Sequence, residues 1–68
     1  MVGRREAQGM VDRFQKLACL EAVKRRQNVT IEDVQRFAAL PMADVRRYLD
    51  ALKQDGKIIE KIGRYSAR

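Results

Sequence analysis

Residues 41–56 have the apolar spacing of one amphipathic helix with a defined start and a defined end. Its apolar side chains recur at i, i+3, i+4 and i+7, a pattern that forms a single buried face: Val45, Tyr48, Leu49 and Leu52. Pro41 suits the helix start, where an N–H has no intrahelical partner, and Gly56 suits a left-handed end. The segment therefore predicts a helix over residues 42–55 with one face in a core.

The opposite face of this predicted helix carries polar and charged side chains. At about 100° per residue, the outward residues are Ala43, Arg47, Asp50 and Gln54, with Arg46 and Lys53 on one flank. Arginine can hold a phosphate, or pair bidentately with guanine O6 and N7. The structural alternative is a surface ion pair between Arg46 and Asp50, at i and i+4, which would contribute little to stability.

Composition limits the classes of function. The chain has 68 residues and a net charge of +6, a balance that favours a polyanionic partner in a domain this small. No apolar run approaches the roughly 20 residues of a membrane span, and the N-terminus lacks the apolar region of a signal peptide. A single cysteine, Cys19, and the absence of histidine predict no internal disulfide, no metal site and a reducing cytoplasm.

Catalysis is not expected from this sequence. Cys19 lies on an apolar helical segment without a base partner, and no glycine-rich phosphate loop or catalytic carboxylate pair is evident. We therefore predict a binding protein rather than an enzyme, with no cofactor and no small-molecule substrate.

We predict a mobile basic arm over residues 1–9 and one domain over residues 10–68. Before residue 41, this domain should contain two helices and a short strand. The first helix, residues 10–27, has a main apolar stripe of Met10, Val11, Phe14, Leu17 and Ala18. A second stripe of Cys19, Leu20 and Val23 indicates either a central helix or a dimer surface. Residues 28–30 break this helix, and Thr30 with Asp33 resembles a capping box that opens a second helix of about nine residues.

After Gly56 the apolar period changes from 3.6 to 2, which predicts a β-hairpin. Gly63 and Arg64 are the expected two-residue turn, and Ile58 and Tyr65 are the expected anchors. Because two strands alone are marginal, the hairpin must lean on the helices or pair with residues 29–30 as a third strand. The full predicted core is Phe14, Leu17, Val34, Phe37, Leu40, Val45, Leu49, Leu52 and Ile58.

The segments IEDVQRFAALP (31–41), DVRRYLDAL (44–52), KQDGKI (53–58) and GRY (63–65) together resemble the winged helix-turn-helix superfamily over residues 10–67. The resemblance implies an α+β, mostly helical fold: a three-helix winged helix, in the order helix, strand, helix, helix, strand, strand, with a C-terminal hairpin wing. Ala39 stands where many such turns carry Gly, and Gln35 where a small residue is common.

The same resemblance implies sequence-specific binding of double-stranded DNA by a small transcriptional regulator. Helix 42–55 would enter the major groove, and wing 57–68 would touch the backbone or minor groove. The DNA-binding residues it assigns are Met42, Ala43, Arg46, Arg47, Asp50, Gln54, Lys61 and Arg64. Such a protein would be cytoplasmic, would associate with the nucleoid when bound to DNA, and would act as a homodimer given its small footprint.

Two alternatives stay open. Winged helices also serve as protein-interaction or dimerisation modules of larger assemblies, since fold does not dictate function. In that case the exposed Met42 and the second stripe of the first helix would be the first candidate surfaces. RNA binding is the weaker alternative, because no Phe or Tyr stacking platform is evident.

Overall fold

The computed structural model describes residues 4–68, with side chains from residue 9 onward. Three helices and three strands follow one another in the order α1 (Arg4–Arg26), β1 (Val29–Thr30), α2 (Ile31–Ala38), α3 (Met42–Gln54), β2 (Ile58–Lys61) and β3 (Arg64–Ala67). The strands form one antiparallel sheet. The domain is therefore α+β and mostly helical, which is the fold class that the resemblance implied.

Helix α1 begins at Arg4 rather than at Met10. Residues 4–9, which we predicted as part of a mobile arm, are therefore helical, and residues 1–3 of that arm lie outside the described residues. The segment is rich in Arg, Glu, Ala and Gln, which favour helices, and a single glycine such as Gly9 costs only about 1 kcal/mol relative to alanine. At the other end, Lys24, Arg25 and Arg26 complement the helix dipole.

The start and the end of α2 follow from local hydrogen bonding. The Asp33 N–H donates to Thr30 Oγ1 (3.3 Å), and the Thr30 N–H donates to Asp33 Oδ2 (3.1 Å), which completes the predicted capping box. The bond from the Thr30 backbone lowers the pKa of the Asp33 carboxyl. The helix ends at Ala39, whose φ of 56° and ψ of 47° are left-handed. The position thus has the conformation for which glycine is the usual residue.

The sheet has the strand order β1-β3-β2, with Val29 opposite Tyr65 and Glu60 also opposite Tyr65. This confirms the third-strand alternative. The hairpin turn, however, is Ile62–Gly63, whereas we predicted Gly63–Arg64; Arg64 is the first residue of β3. Both turn residues have positive φ, 52° and 73°, which a two-residue turn matching the twist of the strands requires.

The core lies between the three helices and the inner face of the sheet. Its buried residues are Cys19, Leu20, Ala22, Val23, Val29, Val34, Val45, Tyr48, Leu49, Leu52, Ile58 and Tyr65. The predictions for Val34, Val45, Leu49, Leu52 and Ile58 are confirmed, and Leu40 packs against this core while only partly buried. Ile58 and Tyr65 anchor the hairpin, as predicted.

The prediction for α1 chose the wrong face. Phe14 and Leu17 are 67% and 58% exposed, whereas Cys19 and Val23 are fully buried. The second stripe, for which we left open a central helix or a dimer surface, therefore packs in the core, which agrees with the central-helix alternative. Phe37, also predicted as core, is 45% exposed, and its ring centroid lies 5.9 Å from Arg25 Cζ.

Candidate nucleic-acid interface

Helix α3 has the orientation that its apolar spacing predicted. Its four predicted anchors, Val45, Tyr48, Leu49 and Leu52, are all buried. Because these side chains fix the inner face, the polar face is turned outward, and the exposed residues are Ala43, Arg46, Arg47, Asp50, Lys53 and Gln54. Met42, at the first position of the helix, is only partly exposed.

A shallow groove separates the outward flank of α3 from the β2–β3 hairpin. Its lining residues are Arg46 and Asp50 from α3, Glu60, Gly63 and Tyr65 from the hairpin, and Ile31 from the start of α2. The fold thus brings two predicted site residues, Arg46 and Asp50, next to the hairpin turn. Met42, Ala43 and Gln54 do not line this groove.

Some charged side chains beside this groove have an ionic partner, and others do not. Lys53 Nζ donates to Glu60 Oε1 at 2.7 Å, and this bond raises the pKa of Lys53, so the hairpin carboxylate has a local countercharge. Arg46 forms no ion pair with any residue that the structure describes, and the Arg46–Asp50 pair considered from the sequence is not formed. The Arg46 guanidinium is therefore open to an external ligand.

Arg47 is held on the other side of α3. Its Nη2 donates to the Tyr48 hydroxyl at 3.2 Å and lies 3.6 Å from Asp44 Oδ1 and 3.7 Å from Asp12 Oδ1. Its Cζ lies 4.9 Å from the centroid of the Tyr48 ring. The two adjacent arginines, both predicted as DNA-binding residues, consequently have different surroundings.

The Tyr48 hydroxyl connects α3 to α1. It donates to Asp12 Oδ1 at 2.8 Å and lies 2.6 Å from Gln15 Oε1. Burial raises the pKa of Tyr48, and the bond to Asp12 raises it further. A second connection is the ion pair between Lys16 Nζ and Asp55 Oδ2, at 2.8 Å. These contacts fix the angle at which α3 presents its outward face.

The predicted hairpin cations lie together beside the turn. Lys61 and Arg64 are directly opposite each other in the register of β2 and β3, and both are exposed. Directly opposed residues on antiparallel strands project from the same face of the sheet. Arg64 Nη1 also donates to the Asn28 carbonyl oxygen at 3.1 Å, which orients its side chain.

Sequence reasoning missed the hairpin side of the groove. It named neither Glu60 nor Gly63 as lining residues, because the strand register was not fixed until the turn was known to be Ile62–Gly63. One available signal was the alternation of β2, which places Glu60 on the same face as the buried Ile58 and therefore toward α3.

No protein-family model matches this chain, and no curated protein matches it either. Among the helices of residues 4–68, none is long and apolar enough to cross a membrane.

Burial raises the pKa of the Cys19 thiol to about 11, so this side chain is protonated at neutral pH. The polar side chains that line the groove carry guanidinium, carboxylate and phenol groups.

Proposed function

We propose that this protein is a winged-helix protein that binds double-stranded DNA, with α3 in the major groove and the β2–β3 hairpin as a wing on the adjacent backbone or minor groove. The observation that carries the proposal is the groove in which Arg46 and Asp50 of α3 face Gly63 of the hairpin turn. The element order and the sheet order β1-β3-β2 also fit a winged helix. We place such a DNA-binding protein in the cytoplasm, associated with the nucleoid.

The side chains of the groove suit base recognition. The Arg46 guanidinium has no competing ion pair among the described residues and can donate to guanine O6 and N7. Asp50, one turn further along α3, can accept from a cytosine amino group. Glu60 would repel phosphates if it were unpaired, but the Lys53 ammonium at 2.7 Å balances its charge. The net charge of +6 supplies the long-range attraction to DNA.

The start of α3 suits a phosphate contact. No side chain caps the helix, which begins after Pro41. The Asp44 N–H already donates to the Pro41 carbonyl oxygen at 3.0 Å, whereas the N–H groups of Met42 and Ala43 have no side-chain acceptor. Such groups can hold a phosphate oxygen. The small side chain of Ala43 allows this end of the helix to approach the DNA closely.

The proposal is tested by fluorescence-anisotropy titration of labelled duplex DNA at several salt concentrations. We expect the logarithm of the binding constant to fall linearly with the logarithm of salt concentration, because each phosphate contact releases condensed cations. Replacing Lys61 with alanine should weaken binding to every duplex alike and reduce the magnitude of the slope by about one unit.

Lys57→Ala is the matched control for this experiment, since Lys57 precedes β2 and lies at the end of the hairpin away from the turn. It removes the same charge, and we expect the wild-type slope. Equal slopes for wild type, Lys61→Ala and Lys57→Ala would contradict a phosphate contact at the wing. No measurable binding of wild type to any duplex at low salt would contradict the proposed function itself.

A second candidate function is favoured by the exposed apolar residues of α1. Met10, Val11, Phe14 and Leu17 are 58%, 44%, 67% and 58% exposed. Single exposed apolar residues are ordinary, but a contiguous stripe is typical of an interaction surface. We therefore propose a protein-interaction module as the alternative, with this stripe as the docking surface. Cys19, Leu20 and Val23 cannot serve as that surface or as a dimer interface, because they are in the core.

A further inference from the structure

Ile62 occupies the hairpin turn in an unusual way. It is 101% exposed, more than any other large apolar residue of the described part. Its φ of 52° is left-handed, where a β-branched residue is strained. Two-residue turns with two positive φ values strongly prefer Asn-Gly or Asp-Gly. Ile62–Gly63 keeps the glycine but replaces the preferred first residue with an unfavourable one.

Neither the strained φ of Ile62 nor the exposure of its apolar side chain is offset by a contact within the described part of the chain. The Ile62 side chain is fully exposed, so it buries no apolar surface there. The turn is nevertheless fixed, because Lys61 and Arg64 pair across it and Arg64 donates to the Asn28 carbonyl oxygen. Strained residues that the surrounding structure holds in place are concentrated at functional sites. The strain and the exposure together indicate that Ile62 acts on an external partner.

The neighbours of Ile62 indicate what kind of partner this is. Two exposed cations, Lys61 and Arg64, flank the turn. Gly63, the second turn residue, lines the same groove as Arg46 of α3. An isolated apolar side chain between two cations fits a polyanion that also offers an apolar interior, and duplex DNA has this combination. Proteins that bind the minor groove insert Phe, Leu, Ile, Met or Pro between base pairs.

We propose that Ile62 is a wedge that enters the minor groove and partly unstacks one base step, while Lys61 and Arg64 bind the phosphates on either side. This inference rests on the proposed DNA binding and adds a residue that selects the step beneath the wing. Pyrimidine–purine steps such as TA unstack most easily. The wing is therefore expected to favour a TA step, in addition to the bases read by α3.

The variant Ile62→Asn should raise the Tm and lower the affinity for DNA. These opposite changes separate the effect of backbone strain from the effect on binding. Asparagine tolerates the left-handed region and is the preferred residue before glycine in this turn, so the Tm should rise. Affinity for duplex DNA should fall about tenfold, the order expected when one aliphatic side chain is no longer buried. The salt slope should not change, because no charge is removed.

Unstacking is read directly with a short duplex of repeated TA steps that carries 2-aminopurine in place of adenine on one strand. The fluorescence of this base is quenched by stacking, so wild type should increase it at low salt, where binding does not require a selected site. Ile62→Asn should abolish the increase. Ile62→Leu, which keeps an apolar side chain without β-branching, should retain it.

Two results would overturn the wedge. In the first, wild type binds the duplex without any increase in fluorescence. In the second, Ile62→Asn binds with wild-type affinity and gives the wild-type increase. Either result leaves the proposed function intact as long as wild type binds DNA with the expected salt slope. Absence of all duplex binding would instead refute both proposals together.

Discussion

Replacing Leu49 with alanine should lower the free energy of unfolding by about 2–5 kcal/mol, as truncation of a buried leucine does. Leu49 is fully buried on the inner face of α3. Helix α3 packs against α1, α2 and β2, so moving one element is not expected to close the cavity left by the substitution. Urea unfolding followed by circular dichroism measures this loss.

Leu17→Ala is the matched control, because the same atoms are removed from a side chain that is 58% exposed. Leu17 also borders Leu20 and Leu52 in a shallow surface groove, so a small loss is expected, within about 1 kcal/mol. Equal losses for the two variants would contradict the packed face that the structure gives to α1. A loss below about 1 kcal/mol for Leu49→Ala would contradict the orientation of α3.

Arg46→Ala is expected to have the largest effect on DNA recognition. Removing one bidentate contact to a base should cost about 1–3 kcal/mol of binding free energy and relax specificity at one base pair. The reason for choosing Arg46 is its place in the groove beside the hairpin, without an ion pair to any described residue. Binding to a selected duplex and to its single-base variants, compared by anisotropy, measures both effects.

Arg47→Ala removes the same charge from the adjacent position and is the control for Arg46→Ala. Arg47 already interacts with Asp12, Asp44 and Tyr48, so its loss should leave the base preference unchanged. Relaxed specificity in Arg47→Ala rather than Arg46→Ala would show that Arg47 leaves these partners to read the base. Wild-type binding by both variants on every duplex would exclude the outward face of α3 as a DNA surface.

The region after residue 28 was the most predictable from sequence. Helix α3 has one continuous apolar face bounded by Pro41 and Gly56, so a period of 3.6 fixed both its extent and its orientation. The capping box at Thr30 fixed the start of α2 in the same local way. In these segments the determining interactions lie within a few residues of one another, and sequence reasoning is reliable for such interactions.

The orientation of α1 could not be obtained from its own pattern. Periodicity shows which residues share a face, but it does not show which of two apolar faces the rest of the chain covers. The larger side chains of α1, such as Phe14, suggested that their face of the helix is buried. In the structure, the buried face is the other one, which carries the smaller Cys19 and Ala22. The choice depends on elements distant in sequence.

The candidate site was predictable in its residue types but not in its arrangement. Arg47 differs from Arg46 because it interacts with Asp12, Asp44 and Tyr48, and Asp12 reaches it through the packing of α1 on α3. The hairpin turn was placed one residue too late because an isoleucine with positive φ is unfavourable on local grounds. The same conflict between local preference and structure now indicates a function for Ile62.

The claim that α3 and the hairpin turn form one DNA-binding surface can be tested by an NMR titration of the isotope-labelled protein with duplex DNA. We expect the largest amide shifts at Ala43, Arg46 and Asp50 of α3 and at Gly63 of the turn. Resonances of Met10, Phe14 and Leu17 should stay in place. Shifts confined to that α1 stripe, or no shifts at low salt, would contradict the claim.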